Sequence, residues 1–260
     1  MATISLCMIV KNESAVLARC LDSIADLMDE IIIVDTGSTD NTKEIAAQYT
    51  SRIYDFKWTS DFSAARNFSF SKATMEYIYT ADADEILDDA NRERFLRLKG
   101  ALLPEIEIVQ MKYVTQGTFD TVLNAKKEYR PKLFRRLRTF TWIDPIHETV
   151  RLTPVTFDSD VEILHCPQSL HSKRDFSIFI KAFEHDGQFS PKIRTMYAKE
   201  LLKTGDKKDF TDAKPIFQLI FDNDPADDAR KEAACVLARI YRMEDNKNEF
   251  FKLTMKDMLT

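Results

Sequence analysis

Four short apolar runs lie within the first 85 residues. Each leads into polar residues, and segments of helical period separate them; this alternation constrains the fold of the chain more than any other feature. Thr3 to Val10 is the first run, with Ile4, Leu6, Met8, Ile9 and Val10 apolar and Lys11-Asn12-Glu13 directly after it. From Ser14 the period lengthens, and Val16, Leu17, Cys20, Leu21 and Ile24 recur at helical spacing. Ile31-Ile32-Ile33-Val34-Asp35 is apolar on both faces, the pattern of a strand in a parallel sheet covered by helices. Thr36-Gly37-Ser38-Thr39-Asp40 offers several helix N-caps, so a helix is expected from about Asn41 to Tyr49. Arg52 to Phe56 reads as a third strand, Asp61 to Lys72 as a loop that becomes a helix, and Tyr77 to Tyr79 as a buried fourth strand leading to Asp82. Strand and helix thus alternate as in a doubly wound α/β sheet.

Such a sheet has a preferred place for ligands, beyond the carboxyl ends of its strands. Asn12-Glu13, Asp35 and Asp82-Ala83-Asp84 all fall at those ends, so the fold would gather them on one rim. If the fourth strand continued, Asp82 and Asp84 would point to the same face. Carboxylates that close repel one another unless a cation or donors lie between them. The pair therefore points to a hard divalent metal, against the plainer reading of a solvated acidic loop. Glu85 has no role beyond capping or orienting that loop.

What is missing narrows the ligand. There is no GxGxxG after the first strand and no GxxxxGK[ST] anywhere, so neither a dinucleotide fingerprint nor a P-loop is present. A phosphate-bearing ligand would have to be held by a metal and side chains. A net charge of -5 argues against a general nucleic-acid binder. Cys7, Cys20, Cys166 and Cys235 form no CxxC pair, which argues against a zinc cluster. Cys7, Cys20 and Cys235 sit in apolar patterns as small hydrophobes, which suits a reducing cytoplasm. No signal peptide is visible, and the longest apolar runs are strand-sized, so a cytoplasmic chain without a transmembrane segment is expected.

The next part is more β-like. Ile106 to Val114, Arg130 to Phe134, Phe140 to Ile143 and Val161 to His165 are strand candidates. Seven cations and one Glu lie between Lys126 and Arg138. This run reads as a solvated or ion-paired surface, with a binding edge for an anion as the functional alternative. From Lys173 the pattern is helical. Phe176, Phe179, Ile180 and Phe183 form one stripe, Met196, Tyr197, Leu201 and Leu202 another, followed by Ile216, Phe217, Leu219 and Ile220 after Pro215. Two domains are expected, 1–170 and 171–260. Tyr197-Ala198 through Gly205-Asp206, with Ala213 and Pro215, is similar to one tetratricopeptide repeat, and a plain helical bundle fits nearly as well.

Four ordered motifs carry a family resemblance. Ser5-Leu6-Cys7-Met8-Ile9-Val10-Lys11-Asn12-Glu13 is the first, and Asp29 to Thr42, with Ile31-Ile32-Ile33-Val34-Asp35-Thr36-Gly37-Ser38-Thr39-Asp40, the second. Asp61-Phe62-Ser63-Ala64-Ala65-Arg66-Asn67 and Asp82-Ala83-Asp84-Glu85 complete the set. Over about residues 3–170 the chain resembles family-2 glycosyltransferases of the GT-A fold. Within them it is most similar to the group that includes SunS-like peptide S-glycosyltransferases and lipopolysaccharide-core glucosyltransferases.

The resemblance implies a UDP-sugar donor, Mn2+ or Mg2+, and inversion at the anomeric carbon. It places Asn12 and Glu13 near the nucleoside, Asp35 at the uracil and Arg66 toward the nucleotide or its diphosphate. Asp82 falls by the ribose and metal, Asp84 is the direct metal ligand, and His165 is a further ligand. Ile146-His147-Glu148 looks like the family's His-Glu motif, with Glu148 the base that takes the acceptor's proton and His147 its substitute. The acceptor would be a peptide or a glycan (a lipopolysaccharide core or a capsule sugar). The helical tail would hold a peptide or partner, pair copies of the chain, or cap the fold. Two other readings compete: a nucleotidyltransferase, which usually shows a Gly-rich basic loop where Lys11-Asn12-Glu13 stands, and a non-catalytic module that only binds a nucleotide-sugar or partner.

Overall fold

The computed structural model describes residues 1–115, 127–136, 142–143, 145–146, 149–150, 155–166 and 172–257. They form two compact units, one holding all the strands and the other the helices from Ser172 onward.

The first unit is built on a parallel core. Strands β1 (Ile4–Val10), β2 (Glu30–Asp35), β3 (Ile53–Asp55) and β4 (Tyr77–Thr80) stand in the order β3-β2-β1-β4, all parallel. The alternation of side chains explains why both faces are covered. Ile4, Leu6, Met8 and Val10 join Tyr77 and Tyr79 in one core, with Leu17, Cys20, Leu21 and Ile24 of α1 (Leu17–Ile24) and Phe95 of α4 (Asp89–Ala101). Cys7, Ile32, Val34 and Ile78 face the other way, onto Phe68 and Phe70 of α3 (Phe62–Lys72). The remaining helix of this part, α2 (Thr42–Ala46), is shorter than the expected Asn41–Tyr49, and residues 47–49 form a turn.

Beyond β4 the sheet is mixed. β7 (Lys127–Arg135) runs antiparallel between β4 and β6 (Ile108–Thr115), and β10 (Thr156–His165) lies parallel to β6. A two-residue strand, β5 (Glu85–Ile86), closes the far edge antiparallel to the end of β10. β8 (Trp142–Ile143) and β9 (Thr149–Val150) pair separately. The strands expected around 106–114, 130–134 and 161–165 are therefore present, the last beginning earlier, at Thr156. Phe140 lies outside the described residues.

Helix α4 has no counterpart in the apolar pattern. Its inward stripe is Asn91, Phe95 and Lys99, two of them polar. Lys99 Nζ donates to the Leu27 carbonyl at 2.8 Å and to Asp29 at 2.7 Å, and Asn91 Oδ1 accepts the Glu162 amide at 2.8 Å. These bonds offset the cost of burying polar groups.

The second unit contains α5 (Ser172–Asp186), α6 (Pro191–Thr204), α7 (Lys207–Asn223), α8 (Asp227–Met243) and α9 (Lys247–Asp257). The breaks read from sequence serve as caps. Ser190 accepts the Ile193 amide with Pro191 at the first helical position, and Asp206 makes a capping box with Asp209. Helix α7 begins well before Pro215 and runs through it. Leu202 and Leu219, read as stripe members, are exposed, and so is Cys235, which projects away from the buried stripe Ala233, Val236, Leu237 and Ile240 of α8. The helical extension is thus present; a tetratricopeptide-like arrangement remains a proposal. Among the described residues no helix is long and apolar enough to cross a membrane.

Candidate active site

The loops after β1 and β2 are knitted together by side chains. Asn12 adopts a left-handed backbone (φ 55°), which Asn tolerates better than most residues. Its Oδ1 accepts the Thr39 amide at 2.7 Å, and its own amide donates to Ser38 Oγ at 2.9 Å. The Glu13 amide donates to Thr42 Oγ1 and the Ser14 amide to Asp40 Oδ2. Asp40 also accepts from the Thr42 amide and hydroxyl. Burial is the largest influence on Asp40 and would raise its pKa; the bonds from Thr42 and Ser14 outweigh it and hold the carboxyl down at about 2. The side-chain oxygen of Asn12 is thus committed to the neighbouring loop.

Asp35, at the end of β2, is 1% exposed. Its Oδ1 accepts the amides of Gly37 and Ser38, each at 3.0 Å, while Oδ2 is buried without a partner among the described residues. An ionised carboxylate accepts at both oxygens. The site therefore has one acceptor with nothing to accept, at the rim where sheets of this type take ligands.

The acidic segment after β4 does not continue as a strand. The chain turns at Ala83–Asp84, with the Glu85 amide donating to the Asp82 carbonyl at 3.1 Å, and Glu85–Ile86 then pairs with the end of β10. Period two thus does not relate Asp82 to Asp84, which corrects the expectation of a shared strand face. The turn achieves something else. Cys166 donates its amide to the Asp84 carbonyl at 2.9 Å, and His165 Nε2 lies 3.0 Å from Asp84 Oδ2. Two residues 81 positions apart meet because β5 and β10 pair. His165 Nδ1 is buried without a partner among the described residues.

Asp82 is exposed on this rim, within a dense surround of protein groups. Desolvation by that surround would raise its pKa; the charges of Lys132, Arg66, Arg130 and His165 reverse this and hold the carboxyl below the ordinary range.

The cations come from two elements. Lys132 of β7 is buried and donates from Nζ to Glu85 Oε1 at 2.5 Å. Burial, with the charge of Asp82 adding to it, pushes Glu85 up against the pull of Lys132. Arg130 lies over the Tyr113 ring at 3.7 Å and pairs with Glu128, and the Tyr113 and His165 rings lie 5.0 Å apart. The basic run is therefore not simply a solvated face, because Lys132 points into the protein. Arg66, on α3, is buried with its guanidinium 5.4 Å from the centroid of the Trp142 ring. The next residue, Asn67, grips Trp142 by its backbone, accepting its amide at 3.0 Å and donating to its carbonyl at 3.2 Å.

Comparison with known proteins decides the family. The model of glycosyl transferase family 2 matches residues 5–153, more than half of the chain. The chain belongs to that family. The chain is 33% identical over 132 residues to the SPbeta prophage-derived glycosyltransferase SunS of Bacillus subtilis, covering 49% of this chain and 31% of that one. It is 48% identical over 87 residues to a TPR repeat-containing protein of Synechococcus elongatus, covering 34% and 22% respectively. The match thus spans a third or less of the length of either relative. Among solved structures, glucosyl-3-phosphoglycerate synthase from Mycobacterium tuberculosis, in complex with Mn2+, UDP-glucose and phosphoglyceric acid, superposes with a TM-score of 0.53. That likeness covers 73% of this chain and 82% of the other at 19% identity, and it is a likeness of fold, the GT-A, Rossmann-like sheet.

In this family-2 chain Asn12, Glu13, Asp35, Asp82, Asp84 and His165 all lie at or just beyond the ends of β1, β2, β4 and β10, and Arg66 sits on the buried side of α3. His147 and Glu148 lie outside the described residues. Sequence reasoning missed the Lys132–Glu85 pair, the Arg130–Tyr113–His165 stack and the hold of Asn67 on Trp142. A hint was there in Lys132, a lone cation between Pro131 and the apolar Leu133-Phe134 of a strand.

Among the described residues no group of three acidic, His or Cys side chains is already assembled as a metal cage. Asp84 and His165 nevertheless fit one edge of a coordination sphere. Adjacent ligands on an octahedral Mg2+ with bonds of about 2.1 Å lie about 3 Å apart, close to the observed 3.0 Å. Carboxylate with imidazole also suits Mn2+.

Proposed function

We propose that this family-2 domain is a metal-dependent inverting glycosyltransferase, moving a sugar from a UDP-sugar to a peptide or glycan acceptor. The observation that carries the reading is the contact of Asp84 with His165 on the carboxyl rim of the sheet. The mycobacterial protein of the same fold, solved with Mn2+ and UDP-glucose, supports the kind of donor and ion.

In this proposal Asp84 and His165 hold Mn2+ or Mg2+, with Asp82 between the ion and the ribose. The bound ion would act as a Lewis acid on the leaving diphosphate, which gains charge as the glycosidic bond breaks. Arg66 adds a positive charge from α3 toward that diphosphate. The Oδ2 of Asp35 accepts the imide N–H of uracil, while Oδ1 stays fixed by Gly37 and Ser38. Asn12 and Glu13 flank the nucleoside. Glu148, or His147 in its place, takes the acceptor's proton as the acceptor attacks from the face opposite the leaving group.

The test measures UDP release from a panel of UDP-sugars, with candidate acceptors, in Mn2+, Mg2+ and chelator. Release should need the ion and should vanish in Asp84→Ala. Unchanged turnover in chelator, together with an unaffected variant, rejects the metal-dependent reading. Saturable UDP-sugar binding without UDP release from any donor would favour a binding module instead.

A further inference from the structure

Beside Asp82 and Asp84 lies an ion pair that the proposed roles do not use, between Glu85, the last residue of the Asp82-Ala83-Asp84-Glu85 motif, and Lys132 of β7. Glu85 is 2% exposed and Lys132 6%. Lys132 Nζ donates to Glu85 Oε1 at 2.5 Å. The other oxygen, Oε2, is buried with no hydrogen-bond partner among the described residues. Around this pair the turn is tied down at Asp82 and at Asp84. The Glu85 amide holds the Asp82 carbonyl, Cys20 Sγ donates to that same carbonyl at 3.4 Å, and the Cys166 amide holds the Asp84 carbonyl. Glu85 itself sits opposite His165 in the β5–β10 register.

A buried ion pair is a poor stabiliser, because desolvating two charges can cost more than their attraction returns. Two apolar side chains would fill the same volume at less cost. The unpartnered Oε2 adds a second cost, since an acceptor stripped of water is left unsatisfied. Both costs make sense if the pair serves the rim above it. A small divalent ion keeps several of its waters, and each water brings donors. Groups that accept from such waters, or that orient the direct ligands, set the ion's affinity.

Building on the metal reading above, we propose that Lys132 and Glu85 are positioning residues of the cation site. Lys132 fixes one oxygen of Glu85, which locks the Asp82–Asp84 turn against His165. Glu85 keeps its other oxygen as the acceptor for the hydrated ion.

The experiment is a Mn2+ titration of the full chain, followed by the paramagnetic resonance of free Mn2+, with thermal melting alongside. The variants are Lys132→Met, the apolar double variant Lys132→Met with Glu85→Leu, and Asp84→Ala. Lys132→Met strands the Glu85 charge and should melt lower. The double variant should recover the melting temperature and still bind Mn2+ at least about tenfold more weakly than the parent chain, a loss of about 1.4 kcal/mol. A double variant that binds Mn2+ within tenfold of the parent chain overturns the proposal, since the pair then only fills space. If Lys132→Met does not fold, the double variant alone decides. A parent chain that binds no more Mn2+ than Asp84→Ala overturns the metal reading, and this inference with it.

Discussion

Asn67 holds the backbone of Trp142 at both polar groups, accepting its N–H at 3.0 Å and donating to its C=O at 3.2 Å. An asparagine side chain thus plays the part of a strand neighbour for β8, and it does so from helix α3. The Trp142 ring is packed between Phe70 and Phe134, 5.7 and 5.2 Å away, with Arg66 over its face. Residue 142 lies five positions before His147. Replacing Asn67 with Ala leaves the Trp142 amide and carbonyl without these partners, at a cost of about 1–3 kcal/mol. The variant should melt a few degrees lower. With turnover in hand, kcat should fall more than the KM for the nucleotide sugar, because β8 leads toward the proposed base and not toward the donor loops. Equal losses in both constants would refute this division.

His165 is the only nitrogen ligand in the proposed ion site. Imidazole favours softer transition metals, while carboxylates suit Mg2+ and Mn2+ alike. His165→Ala should therefore lower the preference for Mn2+ over Mg2+ by about tenfold or more, on the scale where tenfold is 1.4 kcal/mol. Parallel titrations with the two ions read this ratio directly. A ratio that does not move removes His165 from the coordination sphere and leaves its contact with Asp84 as an ordinary hydrogen bond.

The parts of this design that were legible in the sequence share one physical cause. Apolar residues that must be buried repeat at the period of their element, so the core of β1, β2 and β4 announces itself in Ile4, Leu6, Met8, Ile32, Ile33, Val34 and Ile78. The strand ends then follow, and with them the rim that carries Glu13, Asp35 and Asp82. Helix α4 was not legible because two of its three inward residues, Asn91 and Lys99, are polar. Their burial is compensated by partners distant in sequence, Glu162, Leu27 and Asp29. The pairing of β5 with β10 was hidden for a related reason. Two residues make no period, and only that pairing brings Asp84 to His165. Within its cationic run Lys132 does not stand out as buried, because its partner, Glu85, lies 47 positions away.

Asp35 presents one satisfied and one unsatisfied oxygen, so the Asp35→Asn variant is a sharp probe. With its amide oxygen kept toward Gly37 and Ser38, the variant would place an NH2 group where Oδ2 now lies. A donor would then face the imide N–H of uracil, while cytosine offers an acceptor at the same ring position. An unsatisfied buried polar group costs about 1–3 kcal/mol, so UDP affinity should drop about 10-fold to 100-fold. CDP should lose much less, and the preference for UDP over CDP should narrow or invert. Competition binding with the two diphosphates measures it. Equal losses for both nucleotides would place Asp35 away from the base.

Asp40 ties the ends of β1 and β2 to each other, and its carboxyl is held at about 2 against an ordinary 3.8. Burial opposes that shift, and the hydrogen bonds from Thr42 and Ser14 prevail over it. The sign follows from linkage. A carboxyl whose folded pKa lies below its unfolded one contributes stability that is fully present above about pH 4 and is lost as pH falls toward 2. The full difference would be worth under about 2.5 kcal/mol, and partial exposure screens it to the order of 1 kcal/mol. Asp40→Ala should therefore melt about 2–4 °C below the parent chain at neutral pH, by the scaling for chains of this size. The gap should close between pH 4 and pH 2, where the parent carboxyl takes up its proton and its bonds weaken. Melting curves for both chains across that range test the assignment. A gap that stays constant down to pH 2 would mean that Asp40 acts through packing and not through its charge.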